Sequence, residues 1–92
     1  MVKKIEITPI AKEKMQELVN GSKEAVLDFF NNIDKYLKSE DYTLLFKGDK
    51  VDFFYKKCKN VYLVFNTRDK EDIGIVDILT ETEFNKIKEN SK

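Results

Sequence analysis

Histidine is absent from this 92-residue sequence, which has one cysteine, one proline and three glycines. Without histidine, and with Cys58 as the single thiol, the chain has no recognisable zinc site. A single cysteine also excludes an internal disulfide framework. We therefore expect no metal, no cofactor and a reducing, cytoplasmic setting.

Long hydrophobic runs are absent as well. No apolar stretch approaches the roughly 18 residues of a membrane-spanning helix, and Met1 to Lys4 leads into a strand-like segment without a signal-peptide core. We expect no membrane contact and no export. The sequence is 41% hydrophobic and 37% charged, with seven Phe and four Tyr, which is enough apolar surface to offset the entropy of ordering. This length suits one modest core, so we predict a single domain over residues 1–92.

Net charge is zero, which argues against non-specific nucleic-acid binding by the whole surface. The charge is unevenly distributed. Residues 41–70 carry seven basic and four acidic groups, whereas residues 71–92 carry three and six. Sixteen of the seventeen cations are lysines, which attract phosphate as point charges and lack the bidentate geometry of arginine.

The front half of the sequence predicts a strand followed by two helices. Lys3 to Thr8 alternates apolar and polar residues, and Thr8-Pro9 supplies a helix cap followed by proline at the first helical position. Asn20-Gly21 predicts the end of the first helix. Val26 to Leu37 has apolar residues at helical spacing and predicts one continuous second helix, which forms an antiparallel hairpin with the first.

The back half predicts an antiparallel meander. Tyr42 to Lys47 begins it, and Gly48-Asp49 predicts a two-residue hairpin turn with a positive φ at glycine. The next two strands are Val51 to Tyr55 and Val61 to Phe65, which flank a basic hairpin tip, Lys56 to Asn60. The second of these is apolar on both faces, which is typical of an interior strand.

The end of the chain predicts a last strand and a short helix. Asn66 to Asp72 reads as a charged turn before the strand Ile73 to Leu79, which Asp77 interrupts. Thr80 and Glu83 have the spacing of a capping box. The predicted fold class is therefore α+β: a strand, two helices, three or four antiparallel strands and a short terminal helix, written β-α-α-β-β-β(-α), with the helical hairpin packed on one face of an antiparallel sheet.

This element order and its apolar pattern resemble the RelE/ParE superfamily of toxin–antitoxin toxins. The resemblance spans nearly the whole chain and rests on these segments: Ile5-Glu6-Ile7, Ala11-Lys12-Glu13, Leu18, Val26, Ile33, Lys47-Gly48, Phe54-Tyr55-Lys56, Val61 to Phe65 and Ile75 to Leu79. It implies a toxin neutralised by an antitoxin protein. RelE-type members are mRNA endonucleases at the ribosomal A site, and ParE-type members inhibit DNA gyrase.

The sequence departs from this family where catalysis would occur. The family commonly has a Tyr-Arg pair early in the strand that corresponds to Val61 to Phe65, and this chain has Val61-Tyr62. The last strand ends in Thr80 to Glu83 where the family often has basic or histidine-containing residues. The nuclease residues therefore do not carry over.

Candidate site residues follow from the chemistry that remains. Metal-free RNA cleavage needs a base, an acid and cations near the phosphate. Without histidine, the weak catalytic candidates are Tyr62, Asp77 and Glu81, although Asp77 also suits a structural pair with a lysine. Candidates for binding RNA or a partner are Lys56, Lys57, Lys59, Tyr55 and Arg68. The lysines beside Cys58 are expected to lower the pKa of its thiol.

Two functional hypotheses remain open at this point. One is a RelE-like translation inhibitor that contacts ribosomal or messenger RNA and, if it is an enzyme, acts as a metal-independent endoribonuclease. The other is a non-catalytic, protein-binding member of the same fold: a gyrase-directed protein, a degenerate toxin, or a phage or plasmid inhibitor of a host factor.

A second, local resemblance joins the segment Ile5 to Met15 to A-type iron–sulfur carriers. It implies three cysteine ligands, and Cys58 alone does not supply them.

Overall fold

The computed structural model describes residues 4–18, 21–68 and 71–90, without the side chains of residues 17, 18 and 68. Within these ranges the chain forms an α+β domain with a five-stranded mixed sheet. The strands are β1 (Lys4–Ile7), β2 (Thr43–Lys47), β3 (Asp52–Cys58), β4 (Val61–Arg68) and β5 (Asp72–Leu79). The helices are α1 (Pro9–Glu13), α2 (Ser22–Asn31), α3 (Ile33–Ser39) and α4 (Glu81–Asn90), and a π-helical turn, Lys14–Leu18, continues α1.

The sheet order is β1-β5-β4-β3-β2. Strands β2 to β5 form the predicted antiparallel meander, and β4 lies in its interior as the apolar run Val61 to Phe65 indicates. The prediction of a wholly antiparallel sheet is wrong, because β1 pairs parallel to β5, with Ile5 beside Ile73. The chain crosses from β1 to the far edge of the sheet through the helices and then returns strand by strand.

The core lies between the sheet and helices α1 to α3. Phe65 is fully buried at its centre, with ring centroids of Phe29, Tyr42 and Phe54 at 5.2, 5.6 and 5.9 Å. Besides Phe29, the helices contribute these buried apolar side chains to this core: Ala11, Ala25, Val26, Ile33 and Leu37. This arrangement agrees with the predicted helical layer on one sheet face.

The second predicted helix is divided in two at Asn32. Its side-chain amide donates to the carbonyl of Asp28 at 2.9 Å, and its backbone leaves the helical region with φ −119°. Asparagine competes for backbone carbonyls in this way, which is why it is a weak residue inside helices. The apolar spacing continues across Asn32, so the pattern alone does not reveal the break.

The helix caps at Thr8 and Thr80 are confirmed. Thr8 Oγ1 accepts from the amide of Ala11 at 3.4 Å. The amide of Glu83 donates to Thr80 Oγ1 at 3.2 Å, and a Glu83 carboxylate oxygen accepts in return from the Thr80 amide at 3.2 Å. The resulting helix α4 packs on the sheet face opposite α1 to α3, where Phe84 joins Val64 and Leu79 in a second apolar cluster.

Two predicted turns differ from the structure. The loop after β2 spans residues 48–51, with the Gly48 amide donating to the carbonyl of Val51 at 3.0 Å, and Gly48 lacks the positive φ predicted for it. Strand β4 continues through Arg68 and β5 begins at Asp72, so both ends of the predicted Asn66 to Asp72 turn are strand. Lys3 and Asn20, at the ends of the predicted first strand and first helix, lie outside the described residues.

Gly21 is the glycine with a required backbone conformation, at φ +83° before α2. A Cβ at this position would meet Asn60 Oδ1 at 2.6 Å, and one at Gly74 would similarly meet Asn66 Oδ1 at 2.7 Å. Both substitutions push against the movable end of an asparagine, but only Gly21 adds the strain of a positive φ.

We expect Gly21→Ala to lower the free energy of unfolding by about 1–3 kcal/mol in urea denaturation, and by clearly more than Gly74→Ala. Equal losses in the two variants would contradict this assignment.

Candidate functional site

The lysines of the β3–β4 hairpin lie on opposite faces of the sheet. Consecutive side chains in a strand alternate between faces, and Lys56 and Lys57 are consecutive in β3. Lys56 shares a face with Phe54, which packs in the core beneath the helices. Lys57 shares the α4 face with Tyr55. The basic segment is therefore not one patch.

Lys56 is held within the fold. Its ammonium group lies 2.9 Å from Asp41 Oδ2 and 4.2 Å from the ring centroid of Tyr36, and its side chain is 14% exposed. The hydroxyl of Tyr36 donates in turn to Asp28 at 3.2 Å. These contacts join α2, α3 and β3, so Lys56 has a structural role in this arrangement.

Cys58 is buried at the end of β3, with a relative exposure of 3%. Burial raises the pKa of its thiol to about 11; the charge of Lys56 acts in the opposite direction but does not outweigh the burial. The expectation of a lowered thiol pKa is therefore wrong. The flanking lysines suggested an exposed tip, but the turn consists only of Lys59 and Asn60.

Lys59 is exposed in this turn, with φ 55°. The turn lies against the start of α2, because a Cβ on Gly21 would meet the Asn60 amide. Arg68 lies at the other end of β4, about 20 Å along the strand from Tyr62 at 3.3 Å per residue. Its side chain lies outside the described residues, and its backbone position does not bring it to the hairpin turn.

Tyr55, Tyr62 and Lys57 form an aromatic–lysine surface on the α4 face, and the buried Phe84, 4% exposed, packs against both tyrosines. The Tyr62 and Phe84 rings are stacked with centroids 3.9 Å apart and planes 2° apart, and Tyr55 packs edge-on to Phe84 at 4.6 Å. The Lys57 ammonium group lies over Tyr62, 5.6 Å from its centroid. Since Phe84 covers one face of Tyr62, Lys57 lies over the other. The structure thus brings together three of the predicted residues and adds Phe84.

Phe84, which follows the predicted capping box in the sequence, was not predicted as a member of a site. The signal for its position is the capping box, which orients α4 as it leaves β5. Which sheet face α4 covers does not follow from that signal.

Asp77 belongs to a lysine–carboxylate cluster with Lys14 and Glu83. The Lys14 ammonium group lies 2.8 Å from Asp77 Oδ1 and 3.3 Å from Glu83 Oε2, and it donates to the carbonyl of Ile78 at 2.9 Å. Asp77 lies at the irregularity in the β4–β5 pairing, which turns it toward the α4 face. Glu81, the other predicted carboxylate, is exposed in the first turn of α4 and does not enter the cluster.

The pKa values of Lys14 and Glu83 are both shifted in the direction that favours the charged form. Burial alone would lower the pKa of Lys14, but the hydrogen bond and charge of Asp77, with those of Glu83, raise it. Burial alone would raise the pKa of Glu83, but hydrogen bonds from Thr80 and the charge of Lys14 lower it. The Lys14 ammonium group contacts both carboxylates at 2.8 and 3.3 Å, so this geometry suits a structural clamp better than acid–base catalysis.

No protein-family model matches this chain, and a search of curated proteins finds no significant similarity. Over residues 4–18, 21–68 and 71–90, no three histidine, cysteine, aspartate or glutamate side chains are grouped to hold a metal ion. In the same part of the chain, no helix has the length and apolar composition needed to cross a bilayer.

Lys14→Met tests the clamp. The change leaves Asp77 and Glu83 without their cation, so we expect the free energy of unfolding to fall by about 1–2 kcal/mol at pH 7. The exposed Lys12 provides a charge-matched control, and Lys12→Met should cost no more than about 0.5 kcal/mol.

The pH dependence of this loss follows from the two shifted groups. The lowered pKa of Glu83 gives stability that is complete above the ordinary carboxyl pKa and is lost as pH falls through the folded-state pKa. The raised pKa of Lys14 gives stability that is complete below the ordinary lysine pKa and is lost as pH rises through the folded-state pKa. The difference between wild type and Lys14→Met should therefore be largest from about pH 5 to pH 10 and shrink in acid. Urea denaturation across this range measures it, and a pH-independent difference would contradict the clamp.

Proposed function

We propose that this protein is a toxin-like component of a toxin–antitoxin system that binds ribosomal or messenger RNA through the aromatic–lysine surface without cleaving it. The observation that carries the proposal is the position of Lys57 over Tyr62, with the Tyr62 ring stacked flat on Phe84. An aromatic ring held rigidly from one side accepts an unpaired base on its other side, and a lysine beside it pairs with phosphate. Lys59, exposed in the adjacent turn, supplies a second cation.

Single-stranded RNA fits this surface better than a duplex does. Protein recognition of unpaired RNA relies on stacking of splayed bases on aromatic side chains. The Lys57 side chain is exposed and lies 5.6 Å from the Tyr62 centroid, so it can move from the ring to a phosphate when a base takes its place. A zero net charge is compatible with binding that is confined to one surface.

We propose binding without cleavage because the side chains that would act as acid and base are either missing or paired with other residues. The chain has no histidine, and Asp77 is paired with Lys14 at 2.8 Å. Lys56 is similarly occupied by Asp41 at 2.9 Å. These side chains leave no evident pair of acid and base beside Tyr62.

The toxin–antitoxin assignment is supported by the resemblance of the sequence to RelE/ParE toxins. The order of a strand, a helical layer, an antiparallel meander and a terminal helix agrees with what that resemblance implies. An antitoxin protein is the partner that it implies. The parallel pairing of β1 with β5 extends the expected sheet without changing this order.

A second candidate function is binding of a host protein, as in gyrase-directed or degenerate members of the same group. It is favoured by exposed apolar side chains around β2: Leu44, Phe46 and Val51 are 43%, 49% and 39% exposed. Leu44 pairs with Phe54 and Phe46 with Phe53, so these two side chains flank the open β2 edge from opposite sheet faces. An open sheet edge flanked by apolar groups can receive a protein partner. This candidate predicts growth arrest that does not depend on Lys57 or Lys59.

Lys57→Gln/Lys59→Gln tests RNA binding. Removing two phosphate contacts should weaken binding of a single-stranded RNA oligonucleotide about tenfold at physiological salt and make the slope of log K against log salt shallower by about 1.4. Fluorescence anisotropy over a salt series measures both. Lys56 is left unchanged because its loss would disturb the fold. Lys23→Gln/Lys35→Gln removes the same charge from exposed sites on α2 and α3, and should leave RNA binding unchanged.

Expression in cells tests the toxin assignment. The wild-type protein, induced without a partner, should arrest growth, and the Lys57→Gln/Lys59→Gln variant should not. Primer extension on mRNA from arrested cells should show no new ends. New ends that depend on the wild-type protein would contradict binding without cleavage. Unchanged growth on induction of the wild type would reject the toxin assignment, and arrest retained by the double variant would favour the protein-binding candidate.

A further inference from the structure

The five-stranded sheet has two edges that differ in regularity. At one edge, β2 is interrupted by a bulge between Leu44 and Phe46. At the other, β1 pairs with β5 in unbroken register from Lys4 to Ile7. Lys4, Ile5 and Glu6 are exposed. Bulges blunt an edge strand against further pairing, and a regular edge strand remains a template for it. Strand β1 is therefore the edge that can accept a further strand.

The backbone hydrogen bonds determine which groups of β1 face the open edge. The amides of Lys4 and Thr8 donate to the carbonyls of Glu71 and Ile75, at 3.3 and 3.0 Å. Along a strand in a parallel ladder, alternate residues bond to the neighbouring strand. The peptide groups of Ile5 and Ile7 consequently point away from β5, toward the open edge.

The charges of β1 are complementary to those of a second β1 in one antiparallel register. With Ile5 on a two-fold axis, Ile5 exchanges two backbone hydrogen bonds with Ile5 of the second copy. Lys4 then lies opposite Glu6 of the second copy, and Glu6 opposite Lys4 of the second copy. Opposite charges in directly facing positions stabilise antiparallel strands, and like charges destabilise them.

The neighbouring symmetric register is disfavoured by the same charges. With Glu6 on the axis, the open-edge peptide groups of Ile5 and Ile7 also match, but Glu6 faces Glu6 of the second copy. That position is a non-hydrogen-bonded pair, in which the facing side chains are closest. The open-edge backbone groups can form hydrogen bonds in both registers, and the facing charges favour the register centred on Ile5.

We propose that β1 pairs antiparallel with β1 of a second copy of this chain, with Ile5 on the two-fold axis, to form a continuous ten-stranded sheet. Lys4 and Glu6 of one chain lie 3.0 Å apart and meet the same pair reversed, so four charges alternate in sign on one sheet face. On the other face the Ile5 side chain, 37% exposed, lies beside Ile5 of the second copy. Strand pairing over four residues buries less than a standard interface, so this dimer is weak and forms at high protein concentration. The proposal is independent of RNA binding.

Charge reversal tests this register. Sedimentation equilibrium over roughly 10 µM to 1 mM should show the wild-type chain forming dimers. Glu6→Lys places lysine opposite lysine at both pairs, and Lys4→Glu places glutamate opposite glutamate, so each variant should raise the dimer dissociation constant about tenfold or more. Lys35→Glu, an equal charge change at an exposed site on α3, should leave dimerisation unchanged.

Mixing the two variants restores complementarity. In a heterodimer of Glu6→Lys with Lys4→Glu, both facing pairs are again of opposite charge, so an equimolar mixture should associate as the wild type does. Lys4→Glu/Glu6→Lys in one chain should also recover dimers. Circular dichroism before each run establishes that the variants are folded. A wild-type chain that stays monomeric throughout, single reversals that associate like wild type, or a mixture that stays monomeric would each overturn the proposal.

Discussion

Contacts of the Lys14 ammonium group hold three parts of this fold together: the π-helical turn that carries it, β5 and the start of α4. Strand β1 pairs with β5 as far as Ile75, and within the described residues no strand lies beside the second half of β5 on that side. Thr8 and Lys14 take the place of a strand there by donating side-chain hydrogen bonds to the carbonyls of Val76 and Ile78. Because Lys14 also binds Asp77 and Glu83, it attaches the start of α4 to the sheet. Phe84 follows Glu83 in the sequence and is thereby placed against Tyr62.

Side chains in β3 alternate between the two sheet faces, so residues that are neighbours in the basic hairpin tip have different roles in the structure. Lys56 and Cys58 face the helices, where charge pairing and burial make them part of the framework. Lys57 and Tyr55 face α4, where one is available for contact and the other supports the stacked rings. A single strand thus supplies both the rigid support and the exposed cation of the candidate site.

Much of the fold follows from local patterns, and its departures follow from contacts between distant residues. The meander, the interior position of β4 and the caps at Thr8 and Thr80 are local signals that the structure confirms. The parallel placement of β1 depends on where the chain crosses the sheet, which no pattern within Lys4–Ile7 specifies. For the site, the structure pairs Asp77 with a lysine, as the interrupted strand suggested. Lys14 itself was not identifiable, because 63 residues separate it from Asp77 and nothing local distinguishes it from the other lysines.

Because Cys58 is buried, its reaction with a thiol reagent reports on local opening of the structure. A thiol reagent attacks the thiolate and needs access to it, and in the folded state both the raised pKa and the 3% exposure withhold it. Because this is the single cysteine, any modification by such a reagent records a moment when the end of β3 has separated from α2 and α3. The rate of labelling in native buffer thus reports how readily the end of β3 separates from these helices, a form of local opening that whole-molecule unfolding does not resolve.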